Sequence, residues 1–101
     1  MAVGPGSLTS EQRDVLNVLE EEAGKAAVSC ALHSLELRLI NQKGHAFRCI
    51  AIHTVEGAYN RISRADVKSA VCSNPDSLQR IPLVTPEVES EITNFVGCEQ
   101  S

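Results

Sequence analysis

Two cysteine–histidine pairs are the residues of this chain whose spacing best fits a metal site. Cys30 is followed three residues later by His33, and Cys49 is followed four residues later by His53. Thiolates and imidazoles are the usual ligands of zinc, and a structural zinc site takes four of them. The chemistry that this pattern could support is therefore tetrahedral zinc binding, provided that the backbone brings both pairs to one point.

The elements predicted around these pairs form a β-hairpin. Leucines alternate with Glu36 and Arg38, and the chain that follows Gly44 is rich in β-branched residues. We therefore expect antiparallel strands at about 34–41 and 46–55, joined by a two-residue turn. This hairpin is the central feature of the predicted fold.

The hairpin argues against the zinc site. On a strand, Cys49 and His53 would lie about 13 Å apart at ~3.3 Å per residue, whereas ligands of one zinc ion must each approach it within roughly 2.3 Å. We accordingly predict no metal ligands and no cofactor. The four cysteines are expected to be reduced, and all except Cys98 to be buried, with a disulfide framework as the alternative.

Helix start signals predict three helices around the hairpin. Thr9 followed by Gln12 fits a capping box, and Gly24 is expected to end the first helix. The expected helices are 10–23, 63–72 with Ser63 as N-cap, and 86–96 with Thr85 as N-cap. Residues 24–33 stay open between helix and strand, and Phe95 is assigned to the buried stripe of the last helix.

Length and composition predict one folded domain of the α+β class. The chain has 101 residues, of which 43% are hydrophobic and 22% charged, which is ordinary for a globular protein. The domain is expected over 8–97, with a possible edge strand at 78–84. Residues 1–7 are predicted to be a disordered segment or a cloning remnant, and residues 98–101 a C-terminal tail.

Charge is distributed unevenly along the chain. The net charge is −4, yet the acids lie mainly towards the two ends, whereas residues 26–80 carry a net charge of +3. A basic surface could attract an acidic partner. The candidate binding residues are Arg38, Lys43, Phe47, Arg48, Arg61, Arg64 and Lys68.

Enzymatic function is not predicted. No glycine-rich loop adjoins a cysteine, nucleotide-binding fingerprints are absent, and the acidic residues cluster where solvation and helix dipoles explain them. No catalytic residue is therefore assigned.

The sequence instead favours a protein–protein interaction module or a small subunit of a larger assembly. Its partner is expected to be another protein, or a second copy of itself paired along the strand 46–55. A nucleic-acid-binding domain of winged-helix type is the alternative. No membrane partner is predicted, and the expected location is cytoplasmic or nuclear.

Overall fold

Every regular element of residues 8–37 and 44–98, the ranges that the computed structural model describes, is helical. The elements are α1 (Ser10–Leu37), α2 (Gly44–Tyr59), α3 (Arg64–Ser73), a 3₁₀ turn (Pro75–Arg80) and α4 (Pro86–Val96). The α+β prediction is therefore wrong, and the edge strand expected at 78–84 is replaced by the 3₁₀ turn and a bend. The predicted N-terminal segment 1–7 lies outside the described residues.

The predicted β-hairpin is wrong because its second strand is α2. The buried residues Ala51, Thr54, Val55 and Ala58 recur every three or four positions, which is the spacing of one helical face. Their burial outweighs the low helix propensity of β-branched side chains, as tertiary packing often does. The first predicted strand lies partly in α1 and partly outside the described residues.

The first helix begins as predicted but continues past Gly24. The Gln12 N–H donates to Thr9 Oγ1 (3.0 Å), and the Thr9 N–H donates to Gln12 Oε1 (3.1 Å), so the capping box is confirmed. Beyond Gly24 the stripe of buried side chains continues with Ala26 and Cys30. A glycine ends a helix when it turns left-handed, and Gly24 does not do so.

The predicted caps of α3 and α4 are confirmed. The side chain of Ser63 accepts from the Asp66 N–H (3.1 Å), and that of Thr85 accepts from the Val88 N–H (3.3 Å). Gly97 closes α4 in the left-handed conformation at φ 82°, which favours glycine because it carries no Cβ. Local hydrogen bonding therefore fixes these helix ends.

One hydrophobic core joins all the elements. Four of its fully buried side chains are Leu19 of α1, Val55 of α2, Leu78 of the 3₁₀ turn and Ile92 of α4. Removing such a side chain from a packed core costs about 2–5 kcal/mol. The burial of these faces, more than helix propensity, holds the helices together.

Two disulfides join the helices, and all the cysteines of the described chain are paired. Cys30 of α1 bonds to Cys49 of α2, and Cys72 of α3 bonds to Cys98, just beyond α4. The reduced thiols expected from sequence are wrong, and the disulfide alternative is the one found. Closing loops of 19 and 26 residues stabilises a fold by about 3 kcal/mol each in the chain-entropy account.

The Thr54 hydroxyl yields a test of the core. It is fully buried, and no described residue offers it a hydrogen bond. Its desolvation therefore costs about 1–3 kcal/mol that no hydrogen bond offsets. Thr54→Val should leave the free energy of unfolding unchanged or raise it by about 1 kcal/mol. Urea denaturation measures this change.

The matched control is Thr93→Val. Thr93 is also buried, but its hydroxyl donates to the Ser90 carbonyl at 2.9 Å. That variant should lose about 1 kcal/mol. Equal losses in the two variants would contradict the assignment of an unpartnered hydroxyl to Thr54.

Candidate functional site

A surface groove lies where the C-terminal ends of α2 and α4 meet the first half of α3. It is an open surface depression with a volume of about 630 Å³. We call it the α2–α3–α4 groove, and its principal lining residues are Glu56, Tyr59, Asn60, Arg64, Lys68 and Phe95.

Two stacked aromatic rings form the apolar part of this groove. The ring centroids of Tyr59 and Phe95 are 6.5 Å apart, with an angle of 23° between the ring planes. Phe95 is 43% exposed, although the sequence assigned it to the buried stripe of α4. Two of the three aromatic residues of the chain are thus concentrated at one surface site.

Two cations lie on the α3 wall of the groove. The Arg64 guanidinium carbon is 5.0 Å from the centroid of the Tyr59 ring, within the range of a cation–π contact. Lys68 follows four residues later on the same side of α3. Arg64 is the first residue of α3, where the helix dipole disfavours a positive charge, so the stability of α3 does not account for its position.

The other predicted binding residues do not join this site. Arg61 Nη1 donates to Glu21 Oε2 (2.7 Å) and to Glu22 Oε2 (3.1 Å), and Arg48 pairs with a carboxylate of α4 at 3.9 Å. Phe47 is half-buried against the core. The remaining two candidates, Arg38 and Lys43, lie outside the described residues. The predicted basic surface is therefore divided, and only Arg64 and Lys68 come together.

Glu22 is a buried carboxylate at the interface of α1 and α2. It is 8% exposed and accepts hydrogen bonds from Lys25 (3.2 Å) and Arg61. Burial alone raises the pKa of Glu22, but these hydrogen bonds and the two positive charges bring it below its ordinary value. Gly57 of α2 lies against this carboxylate, and a Cβ there would collide with it.

Sequence reasoning missed the aromatic half of the groove. Tyr59 is the last residue of α2, and it is not among the binding residues expected from the sequence. Val88, Ile92 and Val96 are buried and recur every four residues, so they already fill the core-facing stripe of α4. The position of Phe95 beside that stripe was the one available signal of its exposure.

The cysteine–histidine pattern does form a cluster. Cys49 and His53 lie one turn apart on α2, and their donor atoms and the sulfur of Cys30 are all within 4.8 Å of one another. The distance objection to a metal site is therefore wrong, because it assumed a strand. The side chain of His33, the fourth candidate, lies outside the described part of the chain.

Comparison of the chain with protein-family models, with curated proteins and with solved structures gives no match in any of the three. Within the described ranges, no helix combines the length and the apolar character needed to cross a membrane. The functional interpretation consequently depends on the geometry of the chain itself.

The pKa of Glu22 predicts how folding responds to acid. Because the folded-state pKa lies below the ordinary value of 4.5, the ion pairs stabilise the native state above about pH 4.5, and this stabilisation is lost as the pH falls through the folded-state pKa. Glu22→Gln should lower the melting temperature at pH 7 by roughly 4–8 °C, for a loss of about 1 kcal/mol. In acid the variant and the wild type should converge.

Glu21→Gln is the matched control for this titration. Glu21 contacts the same Arg61 nitrogen, but 61% of its side chain is exposed. Exposed ion pairs contribute little to stability, so its melting curve should follow the wild type throughout. A Glu22→Gln profile that runs parallel to the wild type at every pH would contradict the role given to this carboxylate.

Proposed function

We propose that this chain is a non-enzymatic protein-binding module that holds a segment of another protein in the α2–α3–α4 groove. The observation that carries the proposal is the exposed ring of Phe95 beside Arg64 and Lys68. Aromatic and arginine side chains are the residues that most often dominate binding at protein interfaces. The groove therefore combines an apolar anchor with charge.

Charge complementarity indicates the chemistry of the bound segment. Arg64 and Lys68 form no ion pair with any residue that the structure describes, and Glu56 is the one acidic residue among the groove's lining. A segment that places a carboxylate near these cations and an aromatic or aliphatic side chain against Phe95 satisfies both parts. Arginine binds a carboxylate through two parallel hydrogen bonds, which gives such recognition its direction.

The disulfide between Cys72 and Cys98 supports a preformed groove. Lys68 lies one turn before Cys72, and Phe95 lies three residues before Cys98, so the bond ties the two walls together at one end. The cation–π contact also orients Arg64 before any ligand arrives. A rigid site loses less conformational entropy on binding.

We do not propose nucleic-acid binding for this chain. The winged-helix alternative needed a hairpin, and its second strand is helical. Nucleic-acid binding also depends on neutralising many phosphates, whereas Arg48 and Arg61 already pair with carboxylates of the chain itself. Pairing with a second copy along the strand 46–55 is not proposed for the same reason, because these residues are helical.

Two disulfides favour an oxidising compartment as the place where the module works. Such bonds are rare in the cytosol and nucleus, which were the locations expected from sequence. We therefore infer that the binding-competent form has both bonds closed. Mass spectrometry of the protein from its source, without reduction, should find a mass four hydrogens below that of the fully reduced chain.

Selection from a random peptide library displayed on phage tests the proposed function. We expect enriched peptides to carry an aspartate or glutamate within a few residues of an aromatic or leucine side chain. Their affinity should fall about tenfold or more with Phe95→Ala, since a buried aromatic anchor contributes 2 kcal/mol or more in many interfaces. Lys68→Glu should weaken binding by reversing the charge.

Val28→Ala is the matched control. Val28 is an exposed apolar residue of α1 outside the groove's lining, and its loss should leave peptide affinity unchanged. Peptides that bind both groove variants as tightly as the wild type, or a library that yields no enriched sequence, would overturn the proposal. Self-association that is measured by light scattering and abolished by Phe95→Ala would also overturn it, because a second copy of the chain would then occupy the groove.

A further inference from the structure

The disulfide between α1 and α2 has a histidine beside it that the protein-binding proposal does not use. The sulfurs of Cys30 and Cys49 and a ring nitrogen of His53 lie within 4.8 Å of one another. Within the described ranges, these residues are the one group of three cysteine, histidine or acidic side chains whose donor atoms approach so closely. The second disulfide has no such neighbour there.

Helix geometry explains how three donors come together. Cys49 and His53 are four residues apart on α2 and therefore project from the same side on successive turns. Cys30 approaches them from α1, with its Cα 5.9 Å from the Cα of Cys49. Two packed helices thus supply the ligands, which holds them more firmly than a loop would.

The spacing suits a tetrahedral zinc site. With Zn–S bonds of about 2.3 Å and Zn–N bonds of about 2.0 Å, tetrahedral angles place neighbouring donor atoms roughly 3.5–3.8 Å apart. His53 already lies within about an ångström of that separation from both sulfurs. Side-chain rotation after the disulfide opens can supply the rest, because His53 is exposed and Cys49 is only partly buried.

We propose that Cys30, Cys49 and His53 bind a zinc ion when the two cysteines are in the thiol state. The site and the disulfide exclude each other, since each requires the same two sulfur atoms. Oxidation state therefore decides whether α1 and α2 are joined by a covalent bond or by a metal. The zinc site uses none of the residues that line the protein-binding groove, and its zinc-bound form excludes the form with both disulfides closed.

The chemistry of the exchange balances with a thiol as reductant. Two monothiols deliver two electrons and two protons to the Cys30–Cys49 bond and leave as their own disulfide, so two cysteine thiols form. Zinc then displaces one proton from each thiol and accepts a neutral nitrogen of His53, with release of two protons. A disulfide oxidant reverses the first step and expels the ion.

Three protein ligands leave one coordination position of the zinc ion. A water molecule can fill it, as in open zinc sites, whereas a fourth side chain would close the site. His33 follows Cys30 by three residues in α1, and its side chain lies outside the described part of the chain.

Cobalt titration of the reduced protein tests the proposal. The full chain, reduced with a phosphine under nitrogen, is titrated with Co²⁺ and followed by absorption spectroscopy. We expect one equivalent to produce thiolate charge-transfer bands and the intense ligand-field bands of tetrahedral cobalt, which Zn²⁺ then displaces. The oxidised protein should give neither.

Three variants locate the site. Cys30→Ser/Cys49→Ser should abolish the bands, and His53→Ala should lower affinity about tenfold or more, or 1.4 kcal/mol or more. Cys72→Ser/Cys98→Ser should keep the full signal. Circular dichroism on each reduced sample, before and after metal addition, separates loss of ligands from loss of the fold, since a helical variant that does not bind has lost only the site.

Two results would overturn the proposal. One is a reduced wild type that takes up no stoichiometric metal, whether or not it stays helical. The other is equal affinity in the wild type and His53→Ala, which would assign any binding to cysteine thiols alone. A reduced protein that unfolds and is refolded by Zn²⁺, with the refolding lost in His53→Ala, would support it, because metal binding then supplies folding energy.

Discussion

The antiparallel packing of α1 on α2 is the constraint on which the rest of this fold depends. Cys30 bonds to Cys49 at one end, and Glu22 lies against Gly57 at the other. Glu22 lies eight residues before Cys30 on α1, and Gly57 lies eight residues after Cys49 on α2, which is about 12 Å along each helix. Two contacts of different kinds thus specify one register, and α2 in turn packs against α4.

The buried Glu22 carboxylate links the register of α1 and α2 to the position of the groove. Burying Glu22 is costly unless the charge is paired, and Arg61, in the turn between α2 and α3, is one of its partners. Arg61 lies three residues before Arg64, the first residue of α3. The position of the cationic wall is therefore linked to the α1–α2 interface, and the absence of a side chain at Gly57 is what lets the helices approach closely enough.

The sequence determines local features of this fold more clearly than its long-range ones. The caps at Thr9, Ser63 and Thr85 were predictable because each depends on a hydrogen bond to a residue three positions away.

The hairpin prediction failed because a short run of β-branched residues suits a strand and a buried helix alike. The helical spacing of its buried positions became evident only once the core was known. The role of Gly57 could not be predicted locally, because the Glu22 carboxylate that approaches it is thirty-five positions away in the sequence. In the groove, the positive charges of Arg64 and Lys68 are visible in the sequence, whereas the exposure of Phe95 depends on how α4 packs against the other helices. The distance argument against a zinc site failed because it assumed that Cys49 and His53 lie on a strand, whereas both lie on α2.

The most direct test of this account is an NMR measurement on residues 44–59 and their contact with α1. Backbone chemical shifts should be helical without interruption through 46–55, and nuclear Overhauser effects should join the Gly57 α-protons to the Glu22 side chain. Extended-chain shifts over 46–55, or contacts from Gly57 to a different turn of α1, would contradict the register from which the groove and the cysteine–histidine cluster both follow.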